Sequence, residues 1–199
     1  MYSSSINNLI EALKKLPSVG QRTAERFVFY WLKSGKKEVN ELREALNNLL
    51  QNTKSCEVCW NFDDISPCRI CEDIKRQKET VCVVSETQDL AAIENTREYS
   101  GLYHVLRGNI NADDTETEIK NLKIEELKNR IKQHPEIKEI ILALSPDLAG
   151  ETTMMYLKKE LLQIRPDLKI TRLARGLPLG SDLQYADEIT LISALKNRN

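Results

Sequence analysis

This sequence has no long apolar run. Runs such as Ile140-Ile141-Leu142-Ala143-Leu144 fall far short of the roughly 20 residues a membrane-spanning helix needs, so no membrane partner is expected. The first residues, Met1-Tyr2-Ser3-Ser4-Ser5-Ile6-Asn7-Asn8, supply neither a basic start nor an apolar stretch of signal-peptide length, which makes the cytoplasm the expected compartment. Histidine is nearly missing, with only His104 and His134. Ser34-Gly35-Lys36-Lys37 lacks the earlier Gly and the following Ser/Thr of a P-loop, which excludes that mode of nucleotide binding. Repeats, low-complexity tracts and any excess of one charge sign are also absent, the net charge being −1. With 41% apolar and 30% charged residues the chain is globular by composition, and 199 residues suffice for one large domain or about two to three small ones.

The balanced total hides a division. Residues 1–55 hold nine Lys/Arg against five Asp/Glu, whereas the remainder holds twenty against twenty-five. Between Lys14 and Lys37, seven bases (Lys14, Lys15, Arg22, Arg26, Lys33, Lys36, Lys37) face one acid, Glu25. A local positive patch is what sequence-independent phosphate binding requires, because each neutralised phosphate releases counterions; a solvated helix face is the plainer reading of the same charges.

The chain has five cysteines, four of them within sixteen residues. Cys56-Glu57-Val58-Cys59 and Cys68-Arg69-Ile70-Cys71 are two CxxC pairs separated by eight residues. Each pair can form a knuckle that turns its thiolates to one point, and two knuckles supply the tetrahedral sulfur set that Zn²⁺ prefers. Four thiolates leave no position for water, so the predicted role is structural. The surrounding segment has little apolar content beyond Trp60, Phe62, Ile65 and Ile70, too little for a core, and one zinc per chain would replace that core. Cys82 falls outside the pattern, in a predicted strand, and reads as a core thiol.

The pattern predicts a multidomain α+β fold. Residues 1–53 are helical: Ile6, Leu9, Ile10, Leu13 and Leu16, then Ala24, Phe27, Val28, Trp31 and Leu32, then Val39, Leu42, Leu46, Leu49 and Leu50 each follow helical spacing and predict a three-helix bundle. Pro17 and Gly20 separate the first two helices and Gly35 ends the second. Residues 54–77 form the zinc segment. Residues 78–173 alternate candidate strands (81–85, 102–106, 139–144, 169–173) with candidate helices (87–96, 124–133, 151–164), which predicts βαβ crossovers and a mainly parallel sheet with ligand sites at strand C-termini. Residues 174–199, with Gly176, Pro178 and Gly180, form a tail for packing or oligomerisation. Its Ala186-Asp187-Glu188-Ile189-Thr190-Leu191 is superficially similar to a Walker B acid pair; without a Walker A it reads as structural.

Leu16-Pro17-Ser18-Val19-Gly20-Gln21-Arg22-Thr23-Ala24-Glu25-Arg26 resembles the helix–hairpin–helix DNA-binding motif. A tight hairpin aims backbone N–H groups of the second helix at a phosphate, with Arg22 and Arg26 one turn apart beside them. The motif usually has Gly where Ser18 stands. Val81-Cys82-Val83-Val84-Ser85-Glu86 and Ala143-Leu144-Ser145-Pro146-Asp147-Leu148-Ala149-Gly150-Glu151 resemble the two acidic motifs of the Toprim domain, whose catalytic members hold Mg²⁺ between a Glu and an Asp-x-Asp. Glu86 matches the Glu, but Ser145 occupies the first Asp position and only Asp147 remains. The expected result is a degenerate acidic site (Glu86, Asp147, Glu151) without magnesium or catalysis, used for partner docking.

Helix–hairpin–helix, four-cysteine segment and Toprim in this order resemble the RecR family along essentially the whole chain. Glu98-Tyr99-Ser100-Gly101-Leu102-Tyr103-His104-Val105-Leu106, Arg172-Leu173-Ala174-Arg175-Gly176-Leu177-Pro178-Leu179-Gly180 and Tyr185-Ala186-Asp187-Glu188 strengthen the resemblance. It implies a non-enzymatic, nucleoid-associated recombination mediator in DNA repair. Such a protein forms a dimer or tetrameric ring around DNA and acts with RecO and RecF to help RecA load at single-stranded gaps. It also implies that Arg22 and Arg26 face DNA, that Cys56, Cys59, Cys68 and Cys71 bind zinc, and that the acidic region docks a partner. A Glu is common in the family where Ala149 stands. The alternative is a Mg-dependent Toprim nuclease or primase-like enzyme using Glu86 and Asp147.

Overall fold

In the computed structural model the chain divides into two compact units, Met1–Thr53 and Lys54–Asn199. The structure describes residues 2–111, 113, 116–174, 176–177, 180 and 182–196. Arg175, Pro178 and Leu179 of the tail lie outside them.

The first unit holds α1 (Ser4–Leu13), α2 (Gln21–Ser34) and α3 (Lys36–Asn52). Ile10, Ala24 and Val28 form its core, with Ile6, Leu13 and Val19 packed against them. The link from α1 to α2 turns tightly, with the Val19 N–H donating to the Leu16 carbonyl at 3.2 Å. Pro17 fixes φ at the second position of that turn and Ser18 takes φ 63° at the third, which makes it the type II kind that favours glycine there. Gly35, at φ 96°, ends α2 and starts α3. The expected bundle is incomplete. α3 buries no residue, and Val39, Leu42, Leu46, Leu49 and Leu50 are 40–81% exposed. Helical spacing creates an apolar stripe but does not supply what covers it.

The second unit opens with β1 (Lys54–Ser55), antiparallel to β2 (Phe62–Asp63), and the short α4 (Arg69–Glu72). It continues as β3 (Gln77–Val84), α5 (Thr87–Thr96), β4 (Gly101–Val105), α6 (Glu116–Asn121), α7 (Ile124–Gln133), β5 (Glu139–Leu142), α8 (Leu148–Ile164) and β6 (Lys169–Arg172). A 3-10 turn, Leu183–Tyr185, and α9 (Glu188–Lys196) complete it. The four strands lie in the order β4-β3-β5-β6 and every pair is parallel, as the βαβ pattern predicts. Both faces are covered. Val81, Val83, Ile140 and Leu142 pack with Leu127 and Ile131 of α7 and Leu157 and Leu161 of α8. On the other face Cys82, Val84, Tyr103 and Val105 pack with Leu90 of α5. Cys82 is thus a core thiol, and burial pushes its pKa up to about 12.

Several boundaries differ from expectation. β3 begins at Gln77, before the predicted start at Val81, because polar residues at its exposed end still join the sheet. β5 stops at Leu142 and not at 144. α8 begins at Leu148, ahead of Glu151, because Asp147 caps it: the Gly150 N–H donates to Asp147 Oδ1 at 2.7 Å.

Candidate metal centre and nucleic-acid interface

The two CxxC segments fold as knuckles whose own backbones turn the sulfurs inward. The Cys56 N–H donates to the Asn61 carbonyl and the Trp60 N–H to the Cys56 carbonyl, at 2.8 and 3.0 Å. In the second knuckle the Cys71 N–H returns to the Cys68 carbonyl at 2.9 Å, and the Cys68 N–H reaches across to Cys56 Sγ at 3.3 Å. Cys56, Cys59 and Cys68 are fully buried. Cys59 and Cys68 sulfurs lie 3.5 Å apart, those of Cys56 and Cys71 3.9 Å, and all four within 4.8 Å of one another. Zinc–sulfur bonds of ~2.3 Å in a tetrahedron place sulfurs about 3.8 Å apart, so the set fits one Zn²⁺. Crowded this closely, the thiols cannot all ionise unaided. Hydrogen bonding to Cys68 pushes Cys59 up, hydrogen bonding to Cys59 pushes Cys71 up, and Cys68, favoured by its bonds with Cys59 and Cys71, moves down. A dication removes that competition by stabilising four thiolates together.

The zinc segment is fastened to the sheet domain by residues that sequence reasoning missed. The Val105 N–H at the end of β4 donates to the Cys59 carbonyl at 2.8 Å. The Arg107 guanidinium bonds Ser55 Oγ at 2.6 Å and the Trp60 carbonyl at 3.2 Å, and lies 4.2 Å from the Phe62 ring centroid. Lys123 Nζ sits 4.3 Å from the Trp60 ring centroid. From α7, Arg130 Nη1 bonds the Tyr103 carbonyl at 2.6 Å and the Val58 carbonyl at 3.4 Å. The signal for Arg130 was available: it interrupts the apolar stripe Ile124, Leu127, Ile131, where a charge needs a reason.

In the first unit Arg22 and Arg26 stand in the first two turns of α2, and Lys33 stands in its last. Gly20 caps that helix without a side chain, and the N–H groups of Gln21, Arg22 and Thr23 have no hydrogen-bond partner among the described residues. Arg22 and Arg26 are exposed and neither has an ion-pair partner among the described residues. Glu25, the one acid between Lys14 and Lys37, accepts from Gln21 Nε2 at 2.7 Å. The helix dipole, free N–H groups and two unpaired guanidinium groups therefore coincide.

At the carboxyl edge of the parallel sheet the acids are occupied otherwise. Glu86 caps α5 in a reciprocal box with Asp89, whose Oδ2 accepts from the Glu86 N–H at 2.9 Å. Asp147 caps α8. Glu151, in the first turn of α8, lies 3.8 Å from Arg172. Among the described residues, the cysteines are the only group of three or more His, Cys, Asp or Glu side chains whose ligand atoms converge, so Glu86, Asp147 and Glu151 do not form a three-carboxylate cluster. Gly150 is held tightly here: a Cβ on it would sit 2.0 Å from the Ser145 carbonyl oxygen. Asp187 of the tail is a cap as well, accepting from the Thr190 N–H at 2.8 Å and hydroxyl at 2.6 Å. Beside it a cleft of ≈ 960 Å³ opens between Leu142, Leu144 and Met154 and the tail residues Tyr185 and Ile189.

Family models cover nearly the whole chain in order: the RecR helix-hairpin-helix over residues 6–50, the RecR four-cysteine zinc finger domain over 53–73, the Toprim domain over 79–174 and the RecR C-terminal model over 176–199. The recombination protein RecR of Bifidobacterium animalis subsp. lactis is 45% identical over 197 residues, 99% of this chain and 96% of its own. That of Moorella thermoacetica is 43% identical over 100% of this chain and 98% of its own, and that of Gloeothece citriformis 43% over 100% and 97%. The chain belongs to the RecR family. The RecR zinc-finger match falls on the converging sulfurs, so sequence family and donor geometry agree on one structural zinc. The order of helix–hairpin–helix, zinc segment and Toprim is the expected mixed α+β class. No helix among the described residues is long and apolar enough to cross a membrane.

Proposed function

We propose that this RecR-family chain is a non-enzymatic DNA-binding mediator of recombination in DNA repair. It forms an oligomeric clamp that acts with RecO and RecF to promote RecA loading at single-stranded gaps. The observation that carries this reading is the start of α2, where uncapped N–H groups and unpaired Arg22 and Arg26 offer phosphates a sequence-independent grip. The labour divides along the chain: residues 1–53 hold DNA, 54–77 are stapled by zinc, 78–173 form a Toprim scaffold, and 174–199 pack or oligomerise. The working place is the cytoplasm, at the nucleoid. The uncovered stripe of α3 and the exposed Ile189, Ile192 and Leu195 of α9 support assembly into a dimer or tetrameric ring. Assembly multiplies weak phosphate contacts through avidity. The acidic edge at Glu86, Asp147 and Glu151 serves docking and not metal chemistry, because Glu86 and Asp147 already cap helices.

Arg22→Gln with Arg26→Gln lowers DNA affinity at least about ten-fold in fluorescence anisotropy at low salt. Leu46→Glu on α3 reduces the solution mass measured by light scattering. Incubation with nicked, linear and single-stranded DNA plus Mg²⁺ or Mn²⁺ leaves the DNA unaltered. Cleavage or primer synthesis that is lost on Glu86→Gln replaces the clamp reading with the enzyme one.

A further inference from the structure

Four thiolates around Zn²⁺ carry a net charge of −2, and the zinc segment lies against a buried surface where such a charge is costly. Arg130 occupies that surface. It stands on the apolar stripe of α7 and is 7% exposed. Among the described residues it has no carboxylate partner, and its two hydrogen bonds go to neutral carbonyls, Tyr103 and Val58. A buried guanidinium with no anion would be strongly disfavoured. Val58, however, lies inside the first CxxC knuckle, between Glu57 and Cys59. Burial pushes the Arg130 guanidinium down, and the negative charges that push it back up are first those of Cys71, Cys59 and Cys56.

We propose that Arg130 is the buried counterion of the zinc tetrathiolate, one fork of its guanidinium on the knuckle at Val58 and on β4 at Tyr103, so that it offsets the charge of the bound centre and fixes its position on the sheet. Arg107 is engaged elsewhere, its guanidinium bonding Ser55 Oγ and the Trp60 carbonyl and lying over the Phe62 ring. Lys123 lies over the Trp60 ring and pairs with Glu126 at 3.0 Å. The inference rests on zinc occupying the four cysteines; the zinc content of the unaltered full-length chain, measured first at one per chain, tests that separately.

The experiment is competition for zinc against a chromophoric chelator, with the full chain at a temperature where every variant is folded by circular dichroism. Arg130→Met is expected to bind zinc about 10–100-fold more weakly, the usual scale for losing a partner of a metal centre's ligands. Arg130→Lys keeps the charge but not the planar fork and is expected to lose roughly three- to ten-fold. Leu157→Ala, in the core on α8, is the control for general destabilisation and is expected to hold zinc within about two-fold of the unaltered chain. Zinc affinity unchanged in Arg130→Met, or lost equally in Leu157→Ala, overturns the proposal. If Arg130→Met does not fold, Arg130→Lys decides: unchanged affinity there overturns it, and a loss absent from Leu157→Ala supports it.

Discussion

Helices α3 and α8 have the same length, 17 residues, yet α8 buries Gly150, Thr153, Met154, Leu157 and Leu161 while α3 buries nothing. Their sequences do not announce the difference, since both carry apolar residues at helical spacing. What separates them is the neighbour: α8 lies on a parallel sheet within its own unit, whereas α3 belongs to a unit whose core is three side chains. A covered stripe holds one chain together; an open one leaves apolar area in contact with water. The zinc segment shows a third solution, in which a metal replaces the apolar neighbour altogether.

The largest effect expected from breaking this contrast is on the metal. Chelation, or Cys59→Ser, removes a contribution on the scale of roughly 10 kcal/mol and frees the segment, while α1 to α3 keep their helicity. With Trp31 replaced by Phe, Trp60 emission moves to the red and the far-ultraviolet signal of the helices persists.

Next comes the paired substitution. Leu157→Ala costs about 2–5 kcal/mol in chemical denaturation, because it opens a cavity under the sheet. Leu46→Ala, 52% exposed, costs less than about 0.5 kcal/mol at concentrations where the chain is monomeric. Equal costs would erase the distinction between the helices.

Acid probes the sheet domain through His104. Burial holds this fully enclosed imidazole down at about 3, against 6.5 for a free one, while its Nε2 bonds the Lys123 carbonyl at 2.7 Å. The unfolded chain binds the proton first, so the group's stabilisation is complete above ~6.5 and falls by about 1.4 kcal/mol per pH unit towards ~3. Denaturation midpoints from pH 7 to 5 should fall more steeply for the unaltered chain than for His104→Gln. The smallest effect is in the hairpin, where Ser18→Gly relieves the left-handed strain at φ 63° and stabilises the first unit by about 1 kcal/mol.

α5 and α7 were legible to the residue, because the alternation of apolar strand runs with helical spacing brackets them. The cysteine spacing announced the centre as well, since ligand geometry is local. The opening residues of β3, α6 and the contacts of Arg107 were not legible, because they depend on segments distant in the chain. Glu86 and Asp147 read as an acidic pair in sequence, but their roles as caps emerge only with the helices they start. The uncovered side of α3 was hidden for the same reason: periodicity names a face and not its neighbour.

The most direct test compares the two units on DNA. Binding is measured by anisotropy from low to moderate salt for the unaltered chain, for Arg22→Gln/Arg26→Gln and for Lys158→Gln/Lys159→Gln, whose lysines are exposed on α8. The first pair should flatten the log–log salt slope by about 2 and the second leave it unchanged. A slope that responds to the α8 lysines and ignores the α2 arginines would contradict the assignment of phosphate binding to the helix–hairpin–helix.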